Sequence, residues 1–301
     1  MKTLILMRSA PTLDHSFSNV RRDDVVFCPS YYGDRDQIAD KSGPYFHHYL
    51  GGKWTGIFDF FRCYPNALDE FDYFWFVDDD ILAEDRTMLD FIDCVVSNRF
   101  QLAQPALTAN SYWAHRITLV NNSFTFRNTN FVELMMPMMS RDFLRKVLPL
   151  FEGREAALGI DLFWHQLADH PRTDVAIIDA APMFHSRPRR EFLKSEMLKR
   201  NNDINQEKTR TIEEFSVRDH EPVVFSGQLV NGNRLERGAK LMARLSLDLL
   251  KISRHTINRT VELKDFRKFL VHQVFGRASG KAFDKEALDA LMMVPVKSPS
   301  E

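Results

Sequence analysis

The chain lacks most of the features that would narrow its class at once. It has only three cysteines, Cys28, Cys63 and Cys94, odd in number, far apart and without CxxC spacing. That excludes a secreted disulfide framework and favours a reducing compartment. Bias of charge is also missing: 40 lysines and arginines against 41 acids leave a formal net charge of −1, so nothing global draws the chain to nucleic acid. No nucleic-acid partner is expected. Long apolar runs are absent too. MKTLILMR offers four apolar residues before Arg8, too few for a signal-peptide core, and no later run approaches the roughly eighteen residues of a membrane span. The expectation is a cytoplasmic protein, in which the sequons at Asn121 and Asn258 have no consequence. There is no internal repeat.

What is present is an ample core: 44% of 301 residues are hydrophobic, enough for one large or two modest domains. Short apolar runs at 3–7, 24–28 and 73–77 have the form of strands buried on both faces. A helical spacing over 56–71 is interrupted by Pro65, and Met88, Leu89, Ile92, Val95 and Val96 mark an amphipathic helix to about residue 97. Further strands are expected at 117–121 and 175–178, and helices at 141–148 and 161–168. The alternation predicts an α/β sandwich around a mostly parallel sheet. Beyond about 190 the composition turns charged and amide-rich, which puts a loose boundary around 200–220, drawn at 205.

The stretch YFWFVDDDI sets Asp78, Asp79 and Asp80 at the end of an apolar strand. On an extended strand Asp78 and Asp80 would point the same way, about 6.6–6.8 Å apart along the chain, with Asp79 opposed. In an open α/β sheet this is the end where ligands bind. Carboxylates brought together there repel unless a cation joins them, and oxygen ligands suit Mg2+ or Mn2+. The structural alternative is that they cap the following helix, since aspartate suits a helix N-terminus. An EF-hand is excluded, because Leu82 and Ala83 stand where that loop needs an oxygen ligand and a glycine.

The segments LILMRSA, PSYYGD, GGKWTGIFDFF, FWFVDDDI, NFVELMMPMMSR, LGIDLFW and IIDAAPMFHSRP, in this order, resemble the bacterial and plant family known as domain of unknown function 707, itself similar to GT-A type glycosyltransferases. The resemblance covers about residues 1–190. It implies a GT-A-like α/β sandwich over 1–205; beyond the resemblance, helical spacing in the sequence itself predicts a mainly helical region over 206–301. The resemblance implies a metal-dependent glycosyltransferase that moves a sugar from a nucleotide-sugar donor to a glycan or lipid-linked acceptor, as in cell-surface polysaccharide synthesis. Asp78 and Asp80 would hold the metal as a DxD motif, with His185 as a further ligand whose imidazole favours Mn2+ over Mg2+. Arg8, Ser9, Lys53, Asp78, Asp79 and Arg187 would contact the donor, with Arg189 and Arg190 beside them. Asp161 or Glu133 would act on the acceptor hydroxyl. For Glu133, a buried ion pair with Arg127 or Arg141 is the other reading. Trp54, Trp113 and Tyr112 would stack on a ligand or fill the core, and the run from Leu134 to Met139, interrupted by Pro137, would be core.

From 231 to 281 basic residues outnumber acidic ones, and Leu241, Leu245, Leu249 and Ile252 share a helix face. That helix either packs on the first domain or lies peripherally on an anionic membrane. Rival readings of the whole are a metal-dependent phosphohydrolase or nucleotidyltransferase, and a non-catalytic nucleotide- or glycan-binding module.

Overall fold

The structure, a computed structural model, describes residues 1–10, 15–38, 43–188, 203–217, 222–256, 259–275, 286 and 289–290. Arg189, Arg190, Asn258, Arg277 and Lys281 lie outside them.

Eleven described strands run in the order β1 (Thr3–Ser9), β2 (Val25–Tyr31), β3 (His47–His48), β4 (Tyr73–Asp78), β5 (Ile81–Leu82), β6 (Leu102–Leu107), β7 (Phe124–Thr129), β8 (Met138–Ser140), β9 (Val175–His185), β10 (Val224–Leu229) and β11 (Arg234–Glu236). Ten form the main sheet, in spatial order β11-β10-β7-β9-β6-β8-β4-β1-β2-β3, while β5 pairs with β9. The half from β3 to β4 is wholly parallel, and β6 with β9 is parallel as well. Antiparallel β8 is inserted between β4 and β6, and the β7 and β10 edge is antiparallel. The expected α/β architecture is therefore present around a mixed sheet.

Strand side chains alternate faces, and the core divides accordingly. Ile5, Met7, Tyr73, Trp75 and Val77 belong to one cluster, Leu4, Leu6, Phe74 and Phe76 to the other. α1 (Lys53–Cys63) and α4 (Arg141–Val147) cover the second face; α3 (Asp85–Ser97) covers the first. Tyr64 and Pro65 separate α1 from α2 (Ala67–Glu70), as a proline that cannot continue a helix requires.

Several expectations need correction. The strand expected at 117–121 is a 3-10 turn, Arg116–Thr118, joined to β6 only by a bridge between Leu107 and Leu119. The helix expected at 161–168 is two 3-10 turns, Ile160–Leu162 and Trp164–Leu167, entered through Gly159 at φ +98°. The described region after 205 is mainly helical, in α5 (Ile204–Glu214), α6 (Ala239–Ile252) and α7 (Arg259–Phe275), but it also supplies β10 and β11, which extend the main sheet. On α6, Leu241, Leu245, Leu249 and Ile252 are buried in the core, so that face is not open to a membrane. No described helix is long and apolar enough to cross one.

Candidate functional site

β4 drives five buried residues, Tyr73 to Val77, through the centre of the sheet and ends at Asp78. The chain then turns, so Asp79 and Asp80 are not the continuing strand positions the sequence suggested. All three carboxylates line one pocket of about 340 Å³, inside the range of about 300–1,000 Å³ for small-ligand sites. None caps the next helix: the N-cap of α3 is Glu84.

Each aspartate has its own cation. Lys53 Nζ stands 2.7 Å from Asp78 Oδ1 while donating to the carbonyls of Leu134 and Met135 at 2.8 and 2.6 Å. Burial lowers the Lys53 pKa and raises that of Asp78 despite their attraction. The Asp78 side chain keeps 36% of its surface open where it lines the pocket. Asp79 accepts from the Tyr32 hydroxyl at 2.6 Å and pairs with Arg187. Arg187 Nε also stands 3.2 Å from Asp80 Oδ2.

Asp80 meets His185 across 105 positions of sequence because β5 pairs with β9 in a register that sets Ile81 against His185. The Ser186 N–H and hydroxyl both donate to the Asp80 carbonyl at 3.0 Å, fixing the crossing. His185 Nδ1 can only donate to the Tyr112 carbonyl, which leaves Nε2 facing Asp80 Oδ2 at 3.2 Å. That contact is favourable when Nε2 is also protonated or when a cation lies beside both. Burial acts to lower the His185 pKa, but the hydrogen bond and charge of Asp80 outweigh it and raise it. Asp80 Oδ1 is buried and accepts no hydrogen bond among the described residues.

Asp80 and His185 thus fit a divalent ion: an unused buried oxygen, a lone pair fixed by a carbonyl on the far ring nitrogen, and an oxygen–nitrogen set suited to Mn2+. Asp78 is a poorer fit, since Lys53 already holds it.

Of the other expected site residues, Arg8, Lys53, Glu133, Asp161 and Arg187 line the same pocket, and Ser9 does not. Ser9 is buried, its hydroxyl donating to the Ala10 carbonyl. Arg8 uses its guanidinium within the protein. It donates to the Ser30 hydroxyl at 2.8 Å and to the Tyr49 and Gly51 carbonyls at 2.8 and 2.9 Å, clasping β1, β2 and the loop after β3. Gly56 lacks a Cβ where one would stand 2.8 Å from Arg8 Cζ. Lys53 likewise spends its donors within the protein.

Glu133 is 4% exposed, with Oε1 4.0 Å from His115 Nε2. It pairs with neither expected arginine: Arg127 forms a fully buried bidentate pair with Asp179 at 2.7 and 2.9 Å, and Arg141 binds Asp72 at 2.7 Å. Trp54 is buried against Phe151 and Trp164 at the wall of the pocket; Met136, Met138 and Met139 are buried as expected, whereas Met135 is half-buried and lines the pocket.

Tyr32, His115, Glu155 and Lys208 also line the pocket and were not anticipated. Tyr32 lies in the quoted PSYYGD segment, which was the available signal. Lys208 comes from α5, beyond the expected boundary. Its neighbour Glu207 accepts from the N–H groups of Glu155 and Ala156 at 3.0 Å each, pinning that helix to the pocket wall.

No protein-family model matches the chain, and no curated protein matches its sequence. Among solved structures, it is similar to residues 1–349 of S. aureus TarS in complex with UDP-GlcNAc, with 11% identity, 93% of this chain and 75% of that one covered, and a TM-score of 0.40. It is also similar to glucosyl-3-phosphoglycerate synthase from Mycobacterium tuberculosis in complex with Mg2+ and UDP, with 10% identity, coverage of 78% and 86%, and a TM-score of 0.43. At these values the site's own residues decide what it can do.

Proposed function

We propose that the protein is a GT-A type glycosyltransferase, in line with the resemblance to domain of unknown function 707. It moves a sugar from a nucleoside-diphosphate donor to a glycan or lipid-linked acceptor. The observation that carries this reading is the convergence, at the carboxyl end of a central parallel strand, of Asp78, Asp79, Asp80, His185 and Arg187 in one pocket with the buried acid Glu133.

A divalent ion held by Asp80 and His185 supplies positive charge to the donor diphosphate when bound. The chain's own residues do the rest. Arg187 is the most exposed of the cations on the aspartates, at 38%, and can turn a planar pair of donors from Asp79 and Asp80 to phosphate oxygens. Lys53 stays on its carbonyls and keeps Asp78 in place. As an acceptor hydroxyl attacks the anomeric carbon, the bond from that carbon to the donor phosphate oxygen breaks, its electron pair leaving with the nucleoside diphosphate. The hydroxyl proton passes to Glu133, whose deep position makes it a better candidate than Asp161 in its half-buried 3-10 turn.

The test is a thermal-shift screen of nucleoside diphosphates and their sugars, with Mn2+ and with chelator. A ligand at 100 times its Kd adds about 2.7 kcal/mol of stability. One nucleotide should stabilise the protein only with the metal, and Asp80→Ala should abolish that shift while lowering transfer about 10²- to 10³-fold, by analogy with loss of one charge-stabilising group. Stabilisation unaltered by chelator would remove the metal from the proposal. Donor hydrolysis indifferent to any acceptor would favour a hydrolase.

A further inference from the structure

The geometry points to a second metal site, independent of the pocket, in which His47, Asp59 and Cys63 hold a zinc-class ion through one nitrogen, one oxygen and one sulfur. None of the three lines the pocket.

Asp59 and Cys63 are four residues apart on α1 and so project from one face of that helix. β3 brings His47 to the same place. His47 Nε2 stands 3.2 Å from Asp59 Oδ2, Cys63 Sγ stands 3.8 Å from the same oxygen, and all three donor atoms lie within 4.8 Å of one another. Among the described residues this is the one set of three such side chains that close. Zinc bonds of about 2.0–2.1 Å to nitrogen, about 2.0–2.2 Å to oxygen and about 2.3 Å to sulfur, at tetrahedral angles, put ligands about 3.4 Å apart for N···O and about 3.6 Å for S···O. The side chains already stand close to those separations.

The surroundings suit an ion. The inner ligand is built in: His47 is 3% exposed, and its Nδ1 lies 2.6 Å from the Ser30 hydroxyl, which the Arg8 guanidinium holds in turn. Such a partner on the far nitrogen fixes the ring of a metal-bound histidine. Exposure then rises outward, from a half-buried Asp59 to an exposed Cys63, which gives an entry path and leaves the fourth tetrahedral position to water. The thiolate decides the class, since sulfur favours zinc over the hard ions that suit the aspartate pocket. On binding, the Cys63 thiol gives its proton to solvent and its sulfur lone pair to the metal.

The test uses the full chain, stripped with chelator, kept reduced by a phosphine and titrated with Co2+ as a spectroscopic stand-in for zinc. The aspartate pocket contains no cysteine, so a sulfur-to-cobalt charge-transfer band cannot arise there. One equivalent of Co2+ should develop that band together with the visible spectrum of a tetrahedral site, and Zn2+ should bleach it. Cys63→Ser should lose the band and Cys94→Ser keep it, while Asp59→Asn should weaken zinc more than about tenfold, at least the loss expected for an outer partner of a ligand. Because Cys63 is exposed, its serine variant should unfold at the same temperature as the stripped wild type, and zinc should stabilise only the latter. Absence of the band in the wild type, or its survival in Cys63→Ser, overturns the proposal.

Discussion

At the residue scale, three adjacent carboxylates are tolerable because the fold gives each a positive partner: Lys53 for Asp78, Arg187 for Asp79, His185 for Asp80. These partners differ in what can displace them. Lys53 is bound to carbonyls as well, whereas His185 is charged only while protonated. With its folded pKa raised above the ordinary 6.5, the His185–Asp80 pair contributes stability that is complete below about pH 6.5 and is lost as pH rises through the folded value. In chelator, the difference in urea midpoint between wild type and His185→Gln should therefore narrow from pH 5.5 toward about pH 8.5. His47 has the opposite sign. Burial pushes its pKa down to about 4, so stability falls as pH drops from about 6.5 toward 4, and His47→Asn should flatten that acid limb. For the proposed transfer, Glu133→Gln should lower kcat about 10²- to 10⁴-fold with little change in donor KM, and Asp161→Asn should cost far less. Equal losses in the two variants would take the proton-accepting role from Glu133.

At the element scale, the two-residue pairing of β5 with β9 does more for the site than any helix, because it brings Asp80 to His185. Its shortness is why no periodicity announced it. β7 is illegible in the sequence for a different reason: FTFRNT buries Arg127, Asn128 and Thr129, and a strand whose polar residues are satisfied inside the core reads as a loop. β6, with a proline in LAQPAL, was equally hidden. The apolar face of α6, by contrast, was plain from its spacing, but its partner was not. Leu245 is fully buried and Leu247 is 52% exposed. Leu245→Ala should cost about 2–5 kcal/mol by chemical denaturation, and Leu247→Ala should stay within about 0.5 kcal/mol. A neutral Leu245→Ala would mean that the helix does not pack on the sheet.

At the scale of the whole molecule, the region after residue 205 is structurally part of the first. β10 pairs with β7, the Gln273 side chain on α7 exchanges hydrogen bonds with both backbone groups of Val224, and α5 supplies Lys208 to the pocket. A chain cut after residue 205 loses a pocket wall and bares the β7 edge and the core beneath α6. It should be recovered aggregated or without a cooperative thermal transition, whereas the full chain melts cooperatively. A soluble 1–205 fragment with a sharp transition would establish two independent units.

The sequence by itself determined the elements whose residues are apolar in an unbroken run or at helical spacing: β1, β2, β4, the start of β9, α3 and α6. It also marked the aspartates, because three carboxylates in a row at the end of a buried strand are more than a helix cap needs. Only the tertiary structure decided which cation serves which aspartate, that Arg8 and Lys53 spend donors within the protein, that Ser9 stays out of the pocket lining, and that His115, Tyr32 and Lys208 join the site. Those outcomes depend on register and crossing between segments far apart in the chain. Local pattern records the burial of a residue, but not the identity of the neighbour that buries it.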